Sequence, residues 1–323
     1  MRLRLLLCAA LVCFGFGTVS AAEPEKFELK DGDRVVFLGN TLIEREQKYG
    51  YWELMLTMAW SERNVTFRNL GWSGDTVWGE SRAGFGTQAD GFKKLVEEVN
   101  AARPTVIFVG YGNVEAFDGE KGLPKFVDGF GKLLDELEKT KAQIVVLGPL
   151  PQVRSDYQAR KFEEQNRNIK LYRDASASVA EERKHLFVEL QRKPEHPKSL
   201  SMPNTVDGSD VTGVGYLNLA ISLAQQLQLA DRPEVAIVLG VRTTSTGWNL
   251  IQAIQKKNEL FFHRWRPQNE TYLFGFRKHE QGKNAVEVFQ FDPLVEAEEK
   301  KIAELRVKLA AEMKAAEKNG GVK

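Results

Sequence analysis

Val35-Val36-Phe37-Leu38-Gly39-Asn40-Thr41-Leu42-Ile43-Glu44 is an apolar run that stops at a glycine and two small polar residues, then passes into a helix-like pattern. A short, continuously apolar run closed by a turn signal reads as a strand buried on both faces, here from Arg34 to Leu38. From Leu42 to Ser61, Leu54, Met55, Met58 and Ala59 recur at helical spacing, with an interruption near Tyr49-Gly50-Tyr51. The same unit then repeats. Val65 to Leu70 ends at Gly71-Trp72-Ser73-Gly74-Asp75-Thr76, and Thr105 to Val109 ends at Gly110-Tyr111-Gly112-Asn113-Val114-Glu115. Ile144 to Leu147 is closed by Gly148-Pro149, and Leu186 to Val188 makes a fifth strand. Helical stretches separate them: Gly91 to Ala102, a second marked by Phe126, Phe130, Leu133, Leu134 and Leu137, and a third from Gln158 to Arg183. A helix from Tyr216 to Leu229 closes the series. Strands that are apolar throughout and alternate with long helices predict a parallel sheet covered on both faces, a three-layer α/β/α sandwich. In such a sheet chemistry collects where the carboxyl ends of the strands open into loops, and the Gly-rich turns fall at those ends.

The chain has 323 residues with 42% hydrophobic content, enough for a sizeable core. Its formal charge of +1, with both signs mixed along the chain, excludes the electrostatic footprint of a nucleic-acid binder. Met1-Arg2-Leu3-Arg4 leads into an apolar run from Leu5 to Val19, and Val19-Ser20-Ala21 places small residues where a signal peptidase reads. Residues 1–21 are therefore expected to be a signal peptide, leaving an exported, periplasmic or secreted chain without a membrane span. Both cysteines, Cys8 and Cys13, lie inside that segment. A Cys nucleophile, a thiolate metal site and haem attachment are thereby excluded from the mature chain, and no cofactor or metal is expected.

Residues 22–232 are expected to form the α/β/α domain and 233–292 an extension wrapping it. Within the extension, Val235 to Val241 reads as a strand or a packed loop and Trp248 to Phe262 as a helix, whereas the charged, aromatic segment His263 to Glu270 has no evident place. Residues 293–323, rich in Ala, Glu, Lys and Leu, read as an exposed terminal helix. Its Leu294, Ile302, Leu305 and Leu309 are too few for a sustained coiled coil and make it a candidate surface for a protein partner.

Four blocks in order resemble those of the SGNH or GDSL hydrolases, a family of esterases and acylhydrolases. Gly39-Asn40-Thr41 stands where that family has Gly, Asp and a nucleophilic Ser. Asn69 to Thr76 is similar to the block whose glycine N–H helps to hold an oxyanion, a role that would fall to Gly74. Gly112-Asn113-Val114-Glu115 resembles the Gly-x-Asn-Asp/Glu block, with valine at the oxyanion asparagine and Asn113 one residue earlier. Asp207-Gly208-Ser209-Asp210-Val211-Thr212-Gly213-Val214-Gly215-Tyr216 resembles the Asp-x-x-His block, with Asp210 in place of the histidine.

The resemblance implies an ester or O-acyl hydrolase lineage with Thr41, Asp207 and Asp210 at the catalytic positions and Gly74 and Asn113 as oxyanion donors. Asn40, Trp72, Ser73, Asp75, Tyr111, Val114 and Glu115 would surround them. Each departure weakens hydrolysis: a carboxylate is a poorer base than imidazole, Thr adds a methyl that restricts its rotamer, and valine cannot donate a hydrogen bond. The expectation is an impaired esterase-like protein on acylated small molecules or saccharides, or a non-catalytic binder of such ligands using the same pocket. A base from outside the block would have to be His185, His196, His263 or His279. Asp75, Glu115, Asp207 and Asp210 would suit a hard cation only if they converged, and as loop acids they equally suit solvation or capping. Trp72, Trp78, Tyr111 and Phe117 suit stacking on a sugar ring and equally suit lining the core.

Overall fold

The computed structural model describes residues 27–152, 159–190, 204–232, 244–280 and 284–319. The expected signal peptide with both cysteines, His196 and Val235 to Val241 lie outside them. Five parallel strands, β1 (Arg34–Gly39), β2 (Thr66–Gly71), β3 (Val106–Gly110), β4 (Gln143–Leu147) and β5 (Leu186–Val188), form one sheet in the order β2-β1-β3-β4-β5. The helices are α1 (Thr41–Glu46), α2 (Tyr51–Ala59), α3 (Gln88–Ala102), α4 (Gly119–Glu138), α5 (Ala159–Glu182) and α6 (Gly213–Gln226). After them come α7 (Ser245–Trp265), the single turn α8 (Glu270–Leu273) and α9 (Phe291–Asn319). This is the expected α/β/α sandwich with a C-terminal helical extension.

The pleat sorts the apolar strand residues between two cores. Val35 and Phe37 face one side with Phe108 and Val145, packed by Trp52 of α2, Tyr216 and Leu223 of α6, and Ile251 of α7. Val36 and Leu38 face the other with Ile107 and Val109, packed by Leu95 of α3, Phe130 and Leu134 of α4, and Tyr172 of α5. Both faces are apolar, which is why the strands show no alternation in the sequence. Local chemistry sets the element boundaries. The interruption at Tyr49 to Tyr51 is Gly50 at φ +66°, a left-handed turn that separates α1 from α2. The helix expected from Gly91 begins at Gln88 because Thr87 and Asp90 form a reciprocal cap: Thr87 Oγ1 accepts from the Asp90 N–H at 3.3 Å, and Asp90 accepts from the Thr87 N–H at 2.8 Å.

The C-terminal extension is part of the core rather than a wrapping alone. Leu250, Ile251, Ala253 and Ile254 of α7 are buried with Phe37 and Trp52. The terminal helix α9 lies along α7 and buries Val295, Ile302 and Leu309, while Leu294 stays exposed, so its outward face alone is free. Together the two helices cover β2, the edge strand that would otherwise offer unpaired backbone groups. Arg68 of β2 pairs with Glu299 of α9, and Lys257 of α7 donates to the Phe67 carbonyl at 3.1 Å. Lys257 also donates to Glu53 of α2 at 2.7 Å and to Asn258 at 2.7 Å, both partners of the ion pair being buried. Burial pushes the Glu53 carboxyl up and the Lys257 ammonium down, and their attraction opposes both shifts.

Breaking a buried pair by removing one partner strands the other charge, at a cost of roughly 3–5 kcal/mol. Lys257→Met is therefore expected to lower the urea midpoint severely, and the double variant Lys257→Met with Glu53→Leu to recover much of the loss. A wild-type midpoint for Lys257→Met would mean that α7 is not held by this pair.

Candidate ligand-binding cleft

The chain builds β2 on one side of β1 and then crosses to place β3 on the other, so the helices leaving β1 and β3 diverge at their carboxyl ends. That divergence leaves a crevice at the switch point of the sheet. A cavity of about 350 Å³ occupies it. Asn40, Thr41, Leu42 and Arg45 line it from the start of α1, Asn113, Val114 and Phe117 from the loop after β3, and Asp207, Ser209 and Asp210 from the loop before α6.

The turn after β1 is tightly held. Asn40 caps α1, its buried side-chain oxygen accepting from the Leu42 N–H at 3.3 Å, and its Nδ2 has no acceptor among the described residues. Asn69 of β2 donates to the Ile43 carbonyl at 2.6 Å and accepts from the Gly71 N–H at 2.9 Å, tying the start of α1 to the neighbouring strand. A side chain at Gly71 would meet the Glu44 backbone nitrogen at 2.2 Å, so the close approach requires glycine. Gly74, at φ +74°, directs its N–H to Thr41 Oγ1 at 3.3 Å. A hydroxyl and a backbone donor thus meet at the start of α1.

The other positions to which the resemblance points make contacts of their own. Asp207 accepts from the N–H groups of Ser209 and Asp210 at 2.9 and 2.7 Å, capping its own loop. Asp210 forms an ion pair with Arg45, which stands one turn after Thr41 on α1. Asn113 is engaged by a backbone segment: its Nδ2 donates to the Leu150 carbonyl at 2.7 Å and its Oδ1 accepts from the Leu150 N–H at 3.2 Å. Val114 lines the cavity without a donor.

Five residues expected around the pocket lie in its supporting wall instead. Asp75 and Tyr111 are fully buried, with Asp75 accepting from Arg82 at 2.7 Å and from the Tyr111 hydroxyl at 3.2 Å. Glu115 accepts from the Val77 and Gly112 N–H groups, each at 2.9 Å, and so ties two loops together. Ser73 donates its N–H and its hydroxyl to Glu44 at 2.7 and 2.9 Å. Arg266, from the segment without an evident place in the sequence, pairs with Glu44 and stacks 3.8 Å over the Trp72 ring. The loop acids therefore do not converge on a cation site, and no group of three or more metal-ligating side chains occurs among the described residues.

His185 pairs with Glu138 where α5 runs into β5, at the opposite end of the sheet, at 2.9 Å. His263 sits between Phe262 and Phe291, and His279 is exposed. None of these three lines the cavity. Arg45, Leu150 and Gln152 are lining residues that sequence reasoning missed. The four-residue spacing from Thr41, which sets side chains on one helical face, was the signal available for Arg45.

No family model and no curated protein matches the chain. Among solved structures, a gut microbial diltiazem-metabolizing enzyme is similar with a TM-score of 0.55 at 12% identity, covering 86% of this chain and 96% of that one. A catalytic mutant of Axe2, an acetylxylan esterase from Geobacillus stearothermophilus, gives a TM-score of 0.49 at 18% identity over 62% of this chain and 96% of its own. A GDSL-like lipase from Bacteroides thetaiotaomicron gives 0.41 at 18% identity over 61% and 89%. At these identities the likeness is one of fold.

Two buried acids stand close to this cleft. Burial pushes Glu115 from the ordinary 4.5 to about 7 and Glu46 of α1 to about 8. Each keeps its proton in the folded chain at pH values where the unfolded chain has lost it. The stability they contribute is therefore complete below about pH 4.5 and is lost as pH rises through about 7 and 8. Glu46→Gln removes one of these titrations. Relative to the variant, wild type is expected to lose stability with rising pH by up to about 1.4 kcal/mol per unit. Urea midpoints between pH 5 and 8.5 check this, and parallel profiles would overturn it.

Proposed function

We propose that this chain is an exported protein of SGNH/GDSL hydrolase lineage whose cleft binds an acylated small molecule, acylated saccharides included, without turning it over by Ser-His-Asp chemistry. The observation that carries the reading is the Arg45–Asp210 ion pair. At the position where the resemblance calls for an imidazole base, the structure holds a carboxylate, and a guanidinium engages it. A positioned general base contributes typically about 10²–10⁴-fold to rate. Val114 removes an oxyanion donor, a loss of about 10²–10³-fold. Asn113, spent on Leu150, supports the same reading. The lining suits binding: hydroxyls of Thr41 and Ser209 beside apolar walls from Leu42, Val114 and Leu150. Export rests on the charged start and apolar run of residues 1–21, and no described helix is long and apolar enough to cross a membrane.

A second reading, slow hydrolysis by Thr41, is favoured by one contact, the Gly74 N–H at 3.3 Å from its hydroxyl. p-Nitrophenyl acetate separates the two. Wild type is expected to release nitrophenolate no faster than Thr41→Ala, whereas Asp210→His combined with Val114→Asn gains turnover that depends on Thr41. Thr41-dependent turnover by wild type would sink the binding reading.

A further inference from the structure

Two phenylalanines outside the cleft, from distant parts of the chain, meet at the surface. Phe85 is 88% exposed and Phe276 71%, and their rings touch edge to face with centroids 6.0 Å apart. Each stands at the apex of a tight turn. The Gly86 N–H donates to the Ala83 carbonyl at 2.8 Å, with Gly84 at φ +60°, so Phe85 is carried at the tip. The Lys278 N–H donates to the Gly275 carbonyl at 3.2 Å, and the pair enclosed is Phe276 and Arg277. Both turns have anchored bases. Buried Arg82 stands just before the first, and the Thr87–Asp90 cap of α3 just after it. The second follows α8, whose Glu270 is bound by Lys94 of α3 at 2.6 Å. The fold itself therefore holds the two rings outward.

Rings this exposed project from the surface rather than line a groove, so whatever covers them must receive them. A lipid bilayer does so at its interface, where apolar side chains enter without a preformed pocket. The charges around the tips agree with a lipid surface. Acids near them are engaged: Asp90 by Thr87, Glu80 by Thr76 and Gln88, Glu270 by Lys94, and Glu280 by Arg277. Lys278, exposed in the same turn as Phe276, has no ion-pair partner among the described residues. The charge left without a counter-ion at the tips is thus positive, as an anionic leaflet attracts. We infer that Phe85 and Phe276 form a wedge that docks the chain peripherally on an anionic bilayer, the rings entering the interface and Lys278 meeting lipid phosphate. No residue of the cleft takes part, so the inference stands apart from the reading of the Thr41 cavity.

The test is titration of the full chain with vesicles of phosphatidylglycerol and brominated phosphatidylcholine. Residues 1–21 are apolar and bind lipid themselves if retained, so insertion is read at the tip. Phe85→Trp is expected to be quenched by the brominated lipid well beyond the native tryptophans of wild type. Phe276→Ser added to that variant is expected to raise the lipid concentration for half-maximal quenching about tenfold. Lys278→Glu in its place is expected to raise it by a smaller factor that falls in high salt. All three side chains are at least half exposed or at a turn, so the variants should melt with wild type, and melting curves check this. No added quenching of Phe85→Trp, or a half-maximal concentration unmoved by Phe276→Ser, would overturn the inference. A wild-type dimer in solution that Phe85→Ser dissociates, with no quenching at the tip, would overturn it in favour of a second copy of the chain.

Discussion

The close approach of the carboxyl ends of β1 and β3 is the constraint on which the rest of the structure depends. Gly39 and Gly110 pair in register, and a side chain on Gly39 would meet the Gly110 carbonyl oxygen at 2.3 Å. With the two strands this close, the segments that leave them must part, α1 in one direction and the Asn113 to Asp118 turn in the other. The cleft is the space between them. Asn69 and Gly71 at the end of β2 then hold α1 from the far side, so Thr41, Arg45 and Glu44 have fixed directions before any ligand arrives.

Glu44 connects this turn to the C-terminal extension. Its carboxylate receives Ser73 and Arg266, which lies 222 residues further along the chain. The loop that presents Gly74 to Thr41 is therefore braced from the C-cap of α7, the helix that contributes Ile251 and Ile254 to the core and Lys257 to the edge of the sheet. Stability and site geometry share one element. That sharing explains why a segment with no family motif of its own is so deeply built in: a buried ammonium with three acceptors tolerates little displacement.

The architecture was largely legible in the sequence because a strand buried on both faces has a continuous apolar signature and its helices an amphipathic one. Strand ends were legible through their glycines. The position of the cleft followed from the same pattern, and Asn40, Thr41, Asn113, Val114, Asp207 and Asp210 do line one space. What failed was the sorting of polar and aromatic loop residues into pocket and wall. Asp75, Tyr111 and Glu115 have the same composition as ligand contacts, and their burial depends on Arg82 and on backbone donors of other loops that no local pattern identifies. Trp72 was likewise unreadable, since its partner Arg266 comes from the other end of the chain.

By itself, then, the sequence determined the α/β/α class, the order of strands and helices, and the replacement of Ser, Asn and His by Thr41, Val114 and Asp210. These are properties of residue identity and short-range periodicity, which survive without knowledge of distant neighbours. Tertiary structure alone decided that Arg45 engages Asp210, that Asn113 is committed to Leu150, and that Arg266 reaches Glu44. Each of these is a pairing of directional side-chain groups across long stretches of chain, and hydrogen-bond geometry is set only once the sheet has brought its loops together.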